Sequence, residues 1–227
     1  MTSYVLAGGI GHGTAERLVV AATMAPSKHD VQAWRFRVRP GLIEVRADPA
    51  RLRSRNDPQG RRLHLSCGAA LVNLRLAAAQ LGREPVLRLL PDRSLPALLA
   101  TVRLTGPHRT SALERRLYAV TLRAAPVPEP YTGDLPPAAV RNELVEAARL
   151  EGADLHFTGD GGPAILSTRG DGPAEWLRAG QALQRVLLTG VAGTTRIPFR
   201  YEIIDAADRE GLLDHGKVPQ ALLTPEF

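Results

Sequence analysis

The sequence predicts an α+β fold, and three observations carry that reading. Apolar residues alternate with polar ones in several short stretches, which is the period of a half-buried strand. In longer stretches they recur every three or four residues, which is the period of a helix packed on one face. The two patterns do not follow the regular strand-helix rhythm of a doubly wound parallel sheet. With 227 residues, 44% of them hydrophobic and 23% charged, the chain has ordinary globular composition and enough material for a core of its own.

In chain order, the first helix is expected over 14–25, opened by Thr14 as an N-cap and closed by Pro26. Strands follow at 33–39, where Trp34, Phe36 and Val38 alternate with Arg35, Arg37 and Arg39, and at 42–47. Pro40-Gly41 between them is a hairpin turn. After the turn "NDPQG" at 56–60 comes the strongest signal, a helix over 61–81. Leu63, Cys67, Ala70, Leu71, Leu74, Ala78 and Leu81 share its apolar face, and Gly82 sits where a left-handed C-cap is wanted. Leu71 and Leu74 should be almost fully buried. Further strands are expected at 85–90, 101–105, 153–158 and 163–168, and further helices at 111–120, 136–151, 173–190 and 205–214. The stretch "AAPVPEPYTGDLPP" at 124–137 is dense in proline, which removes amide donors and disfavours helix at the preceding residue. It reads as a stiff connector between two quasi-halves of one domain, about 1–108 and 109–227.

Charge and cysteine content restrict the function. The formal net charge is +6, but the arginines are scattered rather than clustered, and four phenylalanines and four tyrosines offer little base stacking. Nucleic-acid binding is therefore not expected. One cysteine, Cys67, excludes a disulfide framework within the chain and reads as a packing residue, so a reducing cytoplasm fits best. No apolar run reaches the length of a membrane span, and "MTSYVLAGGIG" lacks the build of a signal peptide. The glycines at 8, 9, 11 and 13 do not have dinucleotide-binding spacing, and the N-terminus is expected to be a flexible lead. No histidine pair has metal-ligand spacing. His29, His64 and His108 read as isolated surface or helix-face residues, Met24 and Trp176 as core, and "STRGDGP" at 167–173 as a turn.

The stretch "APSKHDVQAWRFRV" at 25–38 resembles the loop A-P-S-x-x-N-x-Q-P-W-x-F-x-V of nitroreductase-family flavoproteins. "DPQGRRLHLSCGAALVNLRLAAAQLG" at 57–82 with "LPD" at 90–92, "AEWLRAGQALQRVLL" at 174–188 and "VPQALL" at 218–223 are similar to its Acg-like branch, in which two such halves are fused. The resemblance implies a mixed, mostly antiparallel sheet flanked by helices and a non-covalent FMN. It implies hydride transfer from a nicotinamide donor to a small organic molecule, and sites that lie between fused halves or between two copies in a homodimer. Carried over by position, Pro26, Ser27, Asp30 and Gln32 would line the flavin ring, and Trp34 would anchor the strand beneath.

Departures from the pattern are informative. Asp30 stands where the family has asparagine, so a group able to donate becomes acceptor only when ionised. Ala33 replaces a proline. "RAAPVPEPY" occupies the place of an arginine-rich segment resembling the phosphate clamp of the wider family, leaving Arg123 as its basic residue and adding Glu129. The chain is also short between 152–160 and 162–171, where the family would have further helix. The flavin site therefore reads as degenerate. Arg61, Arg62, Arg196 and Arg200 are the other arginines available for a phosphate, and the alternative reading is a flavin-free descendant that uses the pocket for another ligand, a non-redox step or a partner protein.

Overall fold

In the computed structural model, residues 4–6, 12–25, 34–48, 57–123, 131, 133, 136–159, 162–193, 195–205, 212 and 216–226 are described. The elements run β1 (Tyr4–Leu6), α1 (His12–Thr23), β2 (Trp34–Arg39), β3 (Leu42–Ala47), α2 (Arg61–Gln80), β4 (Arg83–Leu89) and β5 (Leu98–Pro107). After them come α3 (Ala112–Thr121), α4 (Ala138–Arg149), β6 (Asp154–Phe157), β7 (Ala164–Thr168), α5 (Pro173–Ala192), β8 (Phe199–Ile203) and β9 (Val218–Pro225). The fold is α+β, as expected. The strands divide between two sheets, ordered β1-β2-β3-β5-β4 and β6-β7-β9-β8, and every pairing except the parallel β1–β2 is antiparallel. Strand order β2-β3-β5-β4 in the first sheet has the same winding as β6-β7-β9-β8 in the second, with α2 and α5 each crossing between two hairpins.

The β2–β3 hairpin shows why the first sheet forms. Trp34, Phe36 and Val38 point into the core, Arg35 and Arg37 point out, and Gly41 turns the chain at φ 65°. In α2, Leu71 and Leu74 are fully buried, and Gly82 takes the left-handed conformation beyond the helix end at φ 69°. Its N-terminus has no side-chain cap of the usual kind, because Gly60 occupies that position. Instead the Asp57 carboxylate accepts from the backbone N–H groups of Arg62 at 3.2 Å and Leu63 at 3.0 Å, filling a place that would otherwise leave two amides unpaired. Helix α3 opens with a full capping box between Ser111 and Glu114.

The centre is a close crossing of α2 and α5. A Cβ on Gly68 would overlap the Leu177 carbonyl oxygen, and one on Gly180 would overlap the Leu65 carbonyl oxygen. Each glycine thus lies three residues after the leucine whose carbonyl meets the other glycine, and the two backbones touch without side chains between them. Cys67, beside this crossing, is fully buried, and burial pushes its thiol pKa far up, so it packs as a small apolar group.

Several expectations need correction. The N-terminus is not a free lead at Tyr4–Leu6, because a strand-forming "YVL" adds in parallel to β2. Helix α1 starts at His12, so Thr14 sits inside its first turn rather than capping it. Met24 is 40% exposed and not core, since it lies past the last turn of α1, whereas Trp176 is buried as expected. His64 is buried rather than surface-facing, and His108 is not isolated. Strand β8 lay in a stretch read as neither helix nor strand. The expected helix at 205–214 and most of the connector at 124–137 lie outside the described residues.

Gly68→Ala and Gly180→Ala should each lower stability by about 3 kcal/mol or more, at or beyond the upper end of the ~1–3 kcal/mol usual for overpacking, because backbone cannot move aside as a side chain can. Urea denaturation of each variant measures this. Gly106→Ala, where a Cβ meets nothing within 4 Å, is the control and should change little.

Candidate functional site

The residues that would line the flavin ring, Pro26, Ser27, Asp30 and Gln32, lie outside the described residues, as do His29 and Ala33. Their two anchors are described. On one side lie buried Ala21 and Ala22 near the end of α1 and buried Ala25 just beyond it. On the other, Trp34 begins β2 with its side chain buried and its indole N–H without a hydrogen-bond partner among the described residues. An unpaired buried donor costs about 1–3 kcal/mol, so this N–H stands out.

The end of α1 is held by a polar junction inside the helical layer. Asn73 of α2 is fully buried and donates through Nδ2 to the Ala21 carbonyl at 3.1 Å. Its Oδ1 accepts from Gln184 Nε2 of α5 at 2.9 Å. The Thr121 hydroxyl of α3 stands 3.5 Å from the same oxygen and donates more closely, at 3.0 Å, to Leu117 O. One amide therefore ties α1, α2 and α5 together below the start of the predicted ring loop.

The candidate phosphate ligands are dispersed. Arg123 follows α3 in a left-handed conformation at φ 54°, exposed, with its backbone N–H bonded to Val120 O at 2.9 Å. Arg61 is buried, and its guanidinium donates to Gln220 Oε1 at 2.7 and 3.1 Å, to Gln220 O at 2.9 Å and to Ile204 O at 2.5 Å. Gln220 in turn donates to Thr168 Oγ1 at 2.9 Å, so Arg61 clamps α2 to β9 and β7. Arg62 pairs with Asp205 at 2.7 Å. Arg200 is exposed, and Arg196 is half-buried with an unpartnered Nε. Beside Arg61, His64 bonds through Nδ1 to Gly60 O at 2.5 Å and meets the Trp176 ring edge-on. Burial lowers its pKa against the raising effects of Gly60 and Asp57, which keeps the ring neutral at physiological pH.

A second polar constellation was not foreseen. Glu151, buried just beyond α4, accepts from Arg75 of α2 at 2.7 Å and from Arg185 of α5 at 2.6 Å. Arg75 also donates to Gln181 Oε1 at 3.2 Å. Nearby, His108 Nδ1 is 2.5 Å from Glu84 Oε2, and its Nε2 is 3.0 Å from Glu114 Oε1. These groups come from six segments, α2, β4, the stretch after β5, α3, the end of α4 and α5, so no single local spacing announces them. Only the S-x-x-E capping signature at Ser111 and Glu114 is readable in the chain. Arg75 is shared by a small cavity of about 110 Å³, which His108, Glu84, Glu114 and Arg185 also line, and by an open groove of about 710 Å³ along β4. Among the described residues no cluster of histidine, cysteine, aspartate and glutamate could hold a metal ion, and no helix is long and apolar enough to cross a membrane.

Comparison with known proteins adds a partial likeness. No protein-family model matches the chain. Over 89 residues it is 38% identical to two proteins of Mycobacterium tuberculosis, described as "Putative NAD(P)H nitroreductase MT3217" (strain CDC 1551 / Oshkosh) and "Putative NAD(P)H nitroreductase Rv3131" (strain ATCC 25618 / H37Rv). That stretch is 39% of this chain, and the chain covers 26% of the length of each relative. A crystal structure described as a putative nitroreductase from Thermotoga maritima superposes with a TM-score of 0.49 at 12% identity, over 98% of this chain and 89% of that one.

Two predictions follow from the polar clusters. Glu151→Gln leaves two guanidinium groups facing a neutral amide and should cost about 2–4 kcal/mol in urea denaturation. That is short of the ~3–5 kcal/mol for a wholly buried pair, because Arg75 keeps 27% of its side chain exposed. The hydrogen bond to Glu114 raises the His108 pKa above 6.5 against partial desolvation, and Glu84 adds to the rise. A raised folded-state pKa contributes stability that is full below the unfolded value and is lost as pH rises through the folded one. The melting-temperature gap between the native chain and His108→Gln should therefore narrow as pH rises above 6.5.

Proposed function

We propose that the protein is a nitroreductase-like oxidoreductase of the Acg-like type, built of two quasi-halves, with FMN held mainly by its ring and a nicotinamide hydride donor. The observation that carries this reading is the 38% identity over 89 residues to proteins described as NAD(P)H nitroreductases. The "APSKHDVQAW" motif supports it. FMN, when bound, supplies hydride acceptance and donation at its N5 atom, so the protein need only bind, orient and exclude water.

The chain's residues fit the ring end of such a group better than the phosphate end. Trp34, the first residue of β2 after the ring loop, carries a buried indole N–H with no partner among the described residues, a donor that a heterocyclic acceptor could satisfy. Asn73 fixes the helix from which that loop departs. The phosphate end lacks a matching clamp among the described residues. The donors of Arg61 are taken by Gln220 and Ile204, Arg62 faces Asp205, and Arg123 is exposed. Pro26, Ser27, Asp30 and Gln32 would hold the ring, in a cytoplasmic protein acting alone or as a homodimer on a small organic substrate. The commitment of Arg61 to the fold also favours a second reading, a flavin-free descendant that turns the same pocket to another ligand, a non-redox step or a partner protein.

Each charge-assisted hydrogen bond to a phosphate is worth roughly 1.5–3 kcal/mol, so losing two arginines weakens FMN by ~3–6 kcal/mol, from nanomolar to micromolar or beyond. The purified protein should therefore carry little flavin, and riboflavin should bind almost as well as FMN in a fluorescence titration. Asp30→Asn should tighten both by about threefold to tenfold, the value of one recovered bond. A preference for FMN of more than about a hundredfold, roughly 2.7 kcal/mol, would show a working phosphate clamp and remove the flavin-free reading. Failure of both flavins to bind at high micromolar concentration would remove the flavoenzyme reading instead.

A further inference from the structure

The geometry points to a second ligand site, unrelated to the flavin loop: the groove along β4 takes a soluble organic anion with an apolar body. Its volume of about 710 Å³ falls within the ~300–1,000 Å³ of small-molecule pockets. One wall is apolar. Pro85, Leu87 and Leu89 of β4 project to the same side because they alternate along the strand, and all three are half-buried. Opposite stands Leu150, 60% exposed at the end of α4, a large apolar side chain with nothing over it.

The remaining lining is cationic. Arg88 also lines the groove, although it leaves β4 on the side opposite Leu87 and Leu89; it is exposed and, on an edge strand, makes no ion pair or hydrogen bond among the described residues. Arg178 reaches in from α5, and its stem lies across Gly152, where a Cβ would sit 3.2 Å from Arg178 Cδ. Gly152 has φ 80°, so the turn after α4 both requires a glycine and leaves the space that the arginine fills. Glu175 holds Arg178 through Nη1, and a guanidinium with five donors keeps others for a ligand. The acid in the groove, Glu151, is already shared by Arg75 and Arg185, so it does not repel an incoming anion as a free carboxylate would. An apolar wall, an exposed leucine and two arginines with unused donors match one ligand chemistry, a carboxylate, sulfonate or phosphate on a hydrocarbon or aromatic body.

The test uses the full chain and the fluorescent probe anilinonaphthalenesulfonate (ANS). ANS should bind one site per chain, octanoate should displace it, and the uncharged N-phenylnaphthylamine should bind at least tenfold more weakly. Arg88→Glu/Arg178→Glu and, separately, Leu150→Asp should each weaken ANS at least tenfold while any flavin affinity stays unchanged; the melting temperature should hold for Leu150→Asp and fall for the pair, which loses the Arg178–Glu175 contact. ANS affinity in both variants equal to that of the native chain, equal affinity for the uncharged probe, absence of ANS binding, or displacement by phosphatidylglycerol vesicles but not by octanoate would overturn the proposal. If the charge-reversed pair fails to fold, Arg88→Gln with Leu150→Asp gives the same reading from two exposed positions. Loss of flavin binding with retained ANS binding would remove the flavoenzyme reading and leave this site standing.

Discussion

The close approach of α2 and α5 at Gly68 and Gly180 is the constraint on which the rest of the molecule depends. Backbone touching backbone brings each helix into the territory of the other, so that Leu177 of α5 belongs to the core beneath the first sheet. Leu65 of α2 packs with Trp176, Ala179 and Ile203 on the other side. A side chain at either glycine would push the helices apart, and the polar groups that bridge them would lose their partners together. Asn73–Gln184 and Arg75–Gln181 are both set by this spacing.

These buried polar contacts are not evenly useful to stability. A buried amide or ion pair roughly repays its own desolvation, but it is expensive to leave half-made. Their effect is to exclude other registers between the helices, since a slide of one residue would strand several donors at once. Arg61 illustrates the consequence for function: an arginine that sequence order offers to a phosphate is spent on keeping α2 against β9. Local sequence cannot separate those two uses, because both call for a guanidinium near a helix start.

What the sequence did reveal follows from periodicity. The β2–β3 hairpin, Leu71 and Leu74 at the heart of α2, the left-handed Gly82 and the helix at 173 onward all obey rules that act within a few residues. What it hid depends on distant partners. A glycine inside a helix reads as a weakness until the other helix is in place, which is why Gly68 and Gly180 carried no signal. His108 gains its carboxylates from β4 and α3, and Glu151 its arginines from α2 and α5. Strand β8, "FRYEI", is a different case: Phe199, Tyr201 and Ile203 alternate with Arg200 and Glu202 directly after Pro198, so its pattern is local and legible. For the flavin site, the motif at 26–32 lies outside the described residues, so its polar corner was readable as a resemblance and its geometry was not.

The reciprocal crossing also governs how the chain can be made. Each of the two central helices needs the other to cover its bare backbone, and the second glycine leaves the ribosome more than a hundred residues after the first. At ~5–20 residues per second, α2 waits for roughly 5–20 s before its partner exists. During that interval its buried face, rich in leucine and alanine, is open to chaperones and to other nascent chains. The fold therefore closes only after α5 has emerged, and a chain interrupted before α5 would present an apolar helix with no place to go.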